Sequence, residues 1–268
     1  MIRAEADITP GSRGDRCGRA AAFYYAAAFY LSLAVFGVSC LLWSLPASLL
    51  HRVLPRRVGE PLGQVAIMAG FRWALWVMRA TGVVRVDLSP LDALRGERSL
   101  VVASNHPTMM DAVLLISRLP RVVCITKASL WDSPFLGGGV RLAGYVRNDA
   151  PLAMIRRAAE AVREGRQLMV FPEGSRTARP PVDRFGRGFA VMARTARAPV
   201  QTVLIEAESP YLRKGWPLFR RPELPLVFRV RLGERFRMAG DADAFVDGLE
   251  HHFRRELRGG PDGGGAGR

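Results

Sequence analysis

From its amino end the chain is polar and rich in Gly and Arg over residues 1–19, and then carries no charged side chain from Ala20 to Leu50. A leader of that composition cannot bury enough apolar surface to order itself, so residues 1–19 read as disordered, as does the Gly-rich tail over 258–268. A helix over the uncharged stretch would reach about 45 Å at 1.5 Å per residue, more than the roughly 30 Å of a bilayer's hydrocarbon. Phe23, Tyr24, Tyr25, Tyr30 and Trp43 suit its interfacial ends, and Arg residues flank both sides. Pro46 is expected to bend or end the helix. Residues 20–60 therefore read as a membrane-anchoring segment, either one span or a helical hairpin dipping into a single leaflet.

Beyond it the pattern changes to short apolar runs separated by longer amphipathic ones. Val65–Ala80 is helical in length and carries Arg72 and Arg79 on one face among Trp, Met, Leu and Phe. It fits an interfacial helix with its arginines toward lipid phosphates, or a core helix with two snorkelling arginines. Strands are predicted at Val83–Leu88, Leu100–Ser104, Val122–Thr126, Leu168–Phe171, Val200–Ile205 and Leu226–Leu232. Helices are predicted at Asp111–Arg118, Leu152–Glu164 closed by Gly165, Gly188–Ala196 and Ala242–Leu257. This alternation predicts an α/β domain over 61–257, a largely parallel sheet covered by helices, preceded by an N-terminal membrane helix. Gly137-Gly138-Gly139 lacks the Lys-Ser or Lys-Thr of a phosphate cradle and reads as a flexible turn.

Two of the apolar runs end in polar, turn-forming sequence, and strand ends of an open α/β sheet are where ligands bind. The first is Ser104-Asn105-His106-Pro107-Thr108-Met109-Met110-Asp111. Pro107 suits a first helical position, which puts Asn105 or His106 at the helix entry, with His106 held just outside the helix and Asp111 about a turn inside. Asp111 can then hold one imidazole nitrogen of His106 while the other faces substrate, as a general base requires; equally, His106 can cap the helix with Asp111 an ordinary first-turn acid. The second is Pro172-Glu173-Gly174-Ser175-Arg176-Thr177, after Gln167–Phe171. Here Arg176 offers a planar fork to a phosphate, Gly174 allows close backbone approach, and Glu173 is placed to orient Arg176 or a substrate hydroxyl. Ser175 lacks the Gly-x-Ser-x-Gly surroundings of a covalent nucleophile. The loops Arg179–Gly188 and Ser209–Arg221 follow as candidate rims of the site.

Composition narrows the function classes. Of 268 residues, 39 are Lys or Arg and 24 Asp or Glu, a net charge of +15 carried by Arg apart from Lys127 and Lys214. Such a surface suits an anionic membrane, an acidic carrier protein or nucleic acid, or is simply a solvated basic face. No helix-turn-helix, zinc or aromatic-interleaved pattern supports nucleic acid. Cys17, Cys40 and Cys124 are odd in number and lack redox or metal spacing, and the four histidines form no ligand cluster, so neither disulfides nor a metal are expected.

Asn105-His106 with Asp111, followed by Phe171-Pro172-Glu173-Gly174-Ser175-Arg176-Thr177, resembles the paired signature of the lysophosphatidic acid acyltransferase family of glycerolipid acyltransferases, over roughly residues 65 to 235. The resemblance implies a fatty acyl transfer from a thioester to a lysophospholipid or glycerolipid hydroxyl at a membrane. It gives His106 the role of base, Asp111 that of its orienter, and Arg176 and Glu173 contact with a phosphate-bearing acceptor, to which Asn105, Gly174, Ser175 and Arg147 are added as substrate-binding candidates. N–H groups at the helix start are expected to stabilise the tetrahedral oxyanion. Acyl carrier protein or coenzyme A would carry the acyl group, with no cofactor besides, and the bacterial inner membrane with a cytoplasmic catalytic domain is the expected location. Arg147 follows Gly144 more closely than the family's acceptor-binding Arg does, and Thr202 stands near the family's second Pro after Pro199. A non-catalytic lipid-binding protein of the same fold, or an acyltransferase for another lipid-like alcohol, are the alternatives.

Overall fold

The computed structural model describes residues 13–259; the leader up to residue 12 and the tail from residue 260 lie outside the described residues. Helix α1 (Arg13–Val53) begins inside the stretch expected to be leader. It runs through Pro46, where a bend or stop was expected. Ala47 and Ser44 beside the proline are buried, and this packing holds the helix where one backbone hydrogen bond is lost. After a two-residue break, α2 (Arg56–Ala80) turns back along α1. The boundary expected between residues 60 and 61 therefore falls inside a helix.

Among the described residues seven strands follow: β1 (Val84–Asp87), β2 (Leu100–Ser104), β3 (Val122–Lys127), β4 (Val146–Asn148), β5 (Gln167–Val170), β6 (Val200–Ala207) and β7 (Leu226–Phe236). Their order is β1-β7-β6-β2-β5-β3-β4, parallel throughout except for the antiparallel β6–β7 pair. β2 and β5 are buried along their whole length, which is why each reads as an uninterrupted apolar run rather than an alternation. β4 was not predicted, because three residues carry too little pattern.

Between the strands lie α3 (Met110–Ile116), α4 (Ala128–Trp131), α5 (Gly137–Leu142), α6 (Pro151–Arg163) and α7 (Gly188–Ala196), with α8 (Ala242–Arg258) the last element of the described residues. The crossover from β2 to β3 through α3 and the return from β4 to β5 through α6 run in opposite directions across the sheet. Right-handed connections therefore put α3 and α6 on opposite faces. Contacts agree: α1, α2, α3 and α5 pack among themselves, as do α6, α7 and α8. One apolar core joins both layers and reaches Phe29 of α1 and Leu75 of α2.

Gly137-Gly138-Gly139 is the first turn of α5, not a flexible turn. A Cβ on Gly138 would stand 2.2 Å from the Ser44 carbonyl oxygen and 2.3 Å from Ser48 Oγ. The glycines are there because α5 and α1 approach backbone to backbone. Gly63 does the same for α2 against Ala143, whose carbonyl accepts a bond from Gln64 Nε2. At the other end of α1, Tyr24 donates to the Thr81 carbonyl, Tyr30 to that of Phe219, and Arg221 to that of Ala22. Contacts thus run from Ala22 to Ser48, about 39 Å of helix, so α1 lies along the domain rather than projecting from it.

Candidate active site

The register Ala103↔Val170 between β2 and β5 brings the ends of these two strands together, and Ser104↔Val203 sets them beside β6, which runs on to Ala207. The turn after β2 thereby meets the turn after β5. Thr177 N–H donates to the His106 carbonyl at 2.8 Å and His106 N–H to Glu173 Oε1 at 2.9 Å.

His106 and Asp111 form a pair, with Nδ1 2.9 Å from Oδ2. Asp111 is fully buried, while the imidazole keeps 16% of its surface exposed. The carboxylate also accepts from Thr108 N–H at Oδ2 and from the Thr108 hydroxyl at Oδ1, each at 2.7 Å. Thr108 Oγ1 in turn accepts from Met110 N–H at 3.1 Å. This reciprocal Thr-x-x-Asp arrangement is a capping box, so Thr108 caps the helix, and His106 stands just outside it, as expected, with Asn105 before it. Burial raises the Asp111 pKa, opposed by the hydrogen bonds from His106 and Thr108. The imidazole stacks on Phe171, ring centroids 3.8 Å apart and 13° from parallel, which fixes the ring plane.

Asn105 spends its amide on β6: Nδ2 donates to the Ile205 carbonyl at 2.7 Å and Oδ1 accepts from Ile205 N–H at 2.8 Å. Glu173 does not touch Arg176. Besides His106 N–H, its oxygens accept from the Thr177 hydroxyl and from Asp183 N–H, so it ties both turns to the following loop. Burial raises its pKa, with these three hydrogen bonds opposing. Gly174 has φ 68° and open space where a Cβ would stand, so its left-handed backbone, not close packing, calls for glycine. Ser175 is exposed, and its hydroxyl reaches only the Arg176 carbonyl, at 3.4 Å.

Arg176 Nη1 donates to the carbonyls of Leu212 and Arg213 at 2.9 and 3.1 Å, and its remaining N–H groups have no protein partner among the described residues. Arg147 is not brought to this group. It lies three strands from β2, about 14 Å by strand spacing, and pairs with Asp132 and Asp149. The N–H groups at the start of α3 do not form the expected oxyanion site. Those of Thr108 and Met110 are taken within the cap, and that of Met109 donates to the Leu212 carbonyl at 3.2 Å. Of the rim arginines, Arg187 pairs with Asp243 of α8.

Sequence reasoning passed over Thr108, although Thr-x-x-Asp before an apolar run signals a cap. It also passed over Lys127, the last residue of β3, which ends on the same edge of the sheet as Arg147. The carbonyl contributed by Leu212 had no signal. A cleft of about 430 Å³ opens on the β6 side of the His106 turn, bounded by Asn105, Pro107, Thr177, Pro181, Arg213 and Lys214, while the imidazole faces β5.

Residues 85–206 match the acyltransferase family model. A 1-acyl-sn-glycerol-3-phosphate acyltransferase of Pseudomonas aeruginosa is 23% identical over 80% of this chain and 80% of its own. The human beta form of the enzyme of that name is 25% identical, over 85% of this chain and 83% of its own. The crystal structure of the 1-acyl-sn-glycerophosphate acyltransferase from Thermotoga maritima superposes with a TM-score of 0.66, covering 87% of this chain and 93% of that one at 19% identity. That likeness carries the fold, α/β with a mostly parallel sheet.

Proposed function

We propose that this chain, an acyltransferase of the lysophosphatidic acid acyltransferase family, moves a fatty acyl group from a thioester of coenzyme A or acyl carrier protein to the free hydroxyl of a lysophosphatidic-acid-type acceptor. The observation that carries this is the His106–Asp111 pair on the turn after β2, hydrogen-bonded through its backbone to the Glu173–Thr177 turn that bears Arg176.

In the proposed step, neutral His106 takes the hydroxyl proton at Nε2 while Nδ1–H stays with Asp111. The acceptor oxygen attacks the thioester carbonyl, the tetrahedral intermediate collapses, the C–S bond breaks, and the leaving thiolate recovers the proton from the imidazolium. Asp111 stabilises that cation and fixes the tautomer, and no covalent acyl-enzyme or cofactor is involved. The free N–H groups of Arg176 suit the acceptor phosphate, as a guanidinium fork matches phosphate oxygens.

The reading includes membrane attachment in a bacterial cell, with the domain on the cytoplasmic side. Supporting it, Ala20–Val53 has a mean hydropathy of 1.9 in its most apolar window, with only 11% of that window buried. Trp73 and Trp76 of α2 stack on each other in the open between the exposed Arg72 and Arg79, an interfacial pattern. α1 is one unbroken helix held along the domain at both ends, so in place of a single span or a hairpin folded within residues 20–60 we adopt a larger hairpin, with α1 and α2 together in one leaflet. The decisive experiment offers purified protein both donor types and a panel of acceptors, with product lipids read by mass spectrometry. Acylation only of an unphosphorylated alcohol would replace the acceptor; no acylation at all would leave a lipid-binding protein.

A further inference from the structure

The loop between β6 and β7 joins two things the function needs to keep together, the catalytic turn and helix α1. Its inner end holds the turn: the Leu212 carbonyl accepts from both Met109 N–H and Arg176 Nη1, and the Arg213 carbonyl accepts from Arg176 as well. Leu212 reaches that position with φ 58°, a left-handed backbone that is a genuine outlier for a bulky side chain and persists only where surrounding contacts enforce it. The buried Tyr211 ring meets Phe29 of α1 edge-on at 5.5 Å. The loop's outer end also binds α1, through Tyr30 to the Phe219 carbonyl and Arg221 to that of Ala22.

Between these anchors the tip presents Leu218 and Phe219, 40% and 70% exposed. They lie beside α1 where Phe23, Tyr24, Tyr30 and Leu31 are themselves exposed, so one apolar surface runs from α1 onto the rim of the site. Lys214, Arg220 and Arg221 are exposed around the tip. Arg220 lies over the Trp216 ring at 4.9 Å, and Trp216 Nε1 donates back to the Arg220 carbonyl, which stiffens the tip. An apolar tip collared by cations beside an indole is the composition that settles at an anionic lipid interface.

We propose that the 209–221 loop is a second membrane contact, separate from the α1–α2 hairpin. Leu218 and Phe219 enter the acyl region of an anionic bilayer, and Lys214, Arg220 and Arg221 stand at headgroup level. Resting on the membrane attachment proposed above, this makes the loop a positioning element: a tip fixed in lipid sets the Leu212 and Arg213 carbonyls, and with them Arg176. An acceptor then reaches His106 without leaving the bilayer.

The test compares the full chain with the Leu218→Ser/Phe219→Ser double variant on vesicles of phosphatidylcholine with phosphatidylglycerol. Two measurements are made: flotation with the vesicles, and kcat/KM for long-chain lysophosphatidic acid in the vesicles against a short-chain, monomeric analogue in solution. Both proteins should float, while kcat/KM for the vesicle-borne acceptor falls about tenfold and that for the soluble analogue stays within about twofold. A parallel fall on both acceptors would mean that the loop only shapes the site, and would overturn the proposal. A fluorophore on Phe219→Cys, in a chain also carrying Cys17→Ser and Cys40→Ser, should be quenched by lipid-borne doxyl groups and shielded from iodide. If that chain floats but its label is quenched only by iodide, the loop stays in water and the proposal is wrong although the membrane reading stands. If the unaltered chain fails to float, the membrane reading itself falls, and this inference with it.

Discussion

Replacing Asp111 by Asn tests the dyad most sharply, because the surroundings dictate how the amide must sit. Oδ2 accepts from both His106 Nδ1 and Thr108 N–H, and Oδ1 accepts from the Thr108 hydroxyl. A backbone N–H cannot rotate away, so the amide oxygen has to occupy the Oδ2 position and the NH2 group has to face Thr108 Oγ1. The imidazole then keeps its tautomer and loses only the charge beside it. Unit charges about 4 Å apart at an effective dielectric near 20 interact by about 4 kcal/mol, roughly 10³ in rate, which is the ceiling. Trading a charge-assisted for a neutral hydrogen bond removes about 1 to 2 kcal/mol, roughly tenfold, which is the floor. Steady-state kcat of the folded variant should therefore fall between about 10-fold and 10³-fold, short of the loss in His106→Ala, with acceptor KM little changed. Stability near neutral pH should move by no more than about 1 kcal/mol in thermal unfolding, since Asn also removes a carboxylate that burial disfavours. A kcat within threefold of the unaltered chain would refute the dyad. A loss equal to that of His106→Ala would refute the amide orientation, and with it the claim that Thr108 N–H sets the tautomer.

Arg176→Lys keeps the charge and loses the fork, so KM for a phosphate-bearing acceptor should rise about tenfold or more while KM for the donor stays put in initial-rate kinetics. Gly138→Val drives a side chain into the Ser44 carbonyl; it should cost about 1 to 3 kcal/mol of stability, read as a fall in Tm in detergent. Burial raises the Glu173 pKa, so the stability that its protonation contributes is present below the unfolded carboxylate range and lost as pH rises through the folded value. The Tm of the unaltered chain relative to Glu173→Gln should therefore decline as pH rises above the ordinary carboxylate range of about 4, and a rising difference would contradict the buried carboxylate. Burial pushes the Cys124 thiol up to about 12; peptide mapping after alkylation near pH 8 should find it unmodified in the folded chain and modified in denaturant.

What was legible in the sequence was local. β2 and β5 announced themselves because a strand buried on both faces needs an unbroken apolar run, and α6 was closed at Gly165 because its φ of 90° suits glycine. His106 and Asp111, five residues apart, were near enough along the chain for a pair to be one of two level readings, and the family resemblance favoured the pair over a cap. The rest depended on contacts between distant segments. Gly137-Gly138-Gly139 reads as a turn until α1 lies across it, and then becomes a helix that only glycine lets approach so closely. Pro46 reads as a break until the neighbouring Ser44 and Ala47 are buried. Glu173, Asn105 and Arg147 carried the right chemistry for a substrate, but their partners, Asp183, Ile205 and Asp132, are set by topology rather than by spacing along the chain.

The same division bears on how the site will respond to change. The dyad is closed within one short segment, by a cap on α3 and a ring stacked on Phe171, with Asn105 tied to β6 and Met109 N–H to the Leu212 carbonyl as outer supports. The Arg176 side depends on two carbonyls delivered by a loop some 36 residues further on, which is in turn braced on α1. Chain closure over such distances is entropically costly and the brace is exposed, so this side has the smaller energetic margin. Disturbing α1 or the inner end of the 209–221 loop, as distinct from its lipid-facing tip, should thus weaken acceptor binding well before it touches proton transfer. Variants there are expected to raise acceptor KM at nearly constant kcat, whereas those around Thr108 and Asp111 lower kcat. A Tyr30→Phe substitution, which removes only the hydroxyl bound to the Phe219 carbonyl, separates the two: a drop in kcat with unchanged acceptor KM would show that the loop serves the base and not the acceptor.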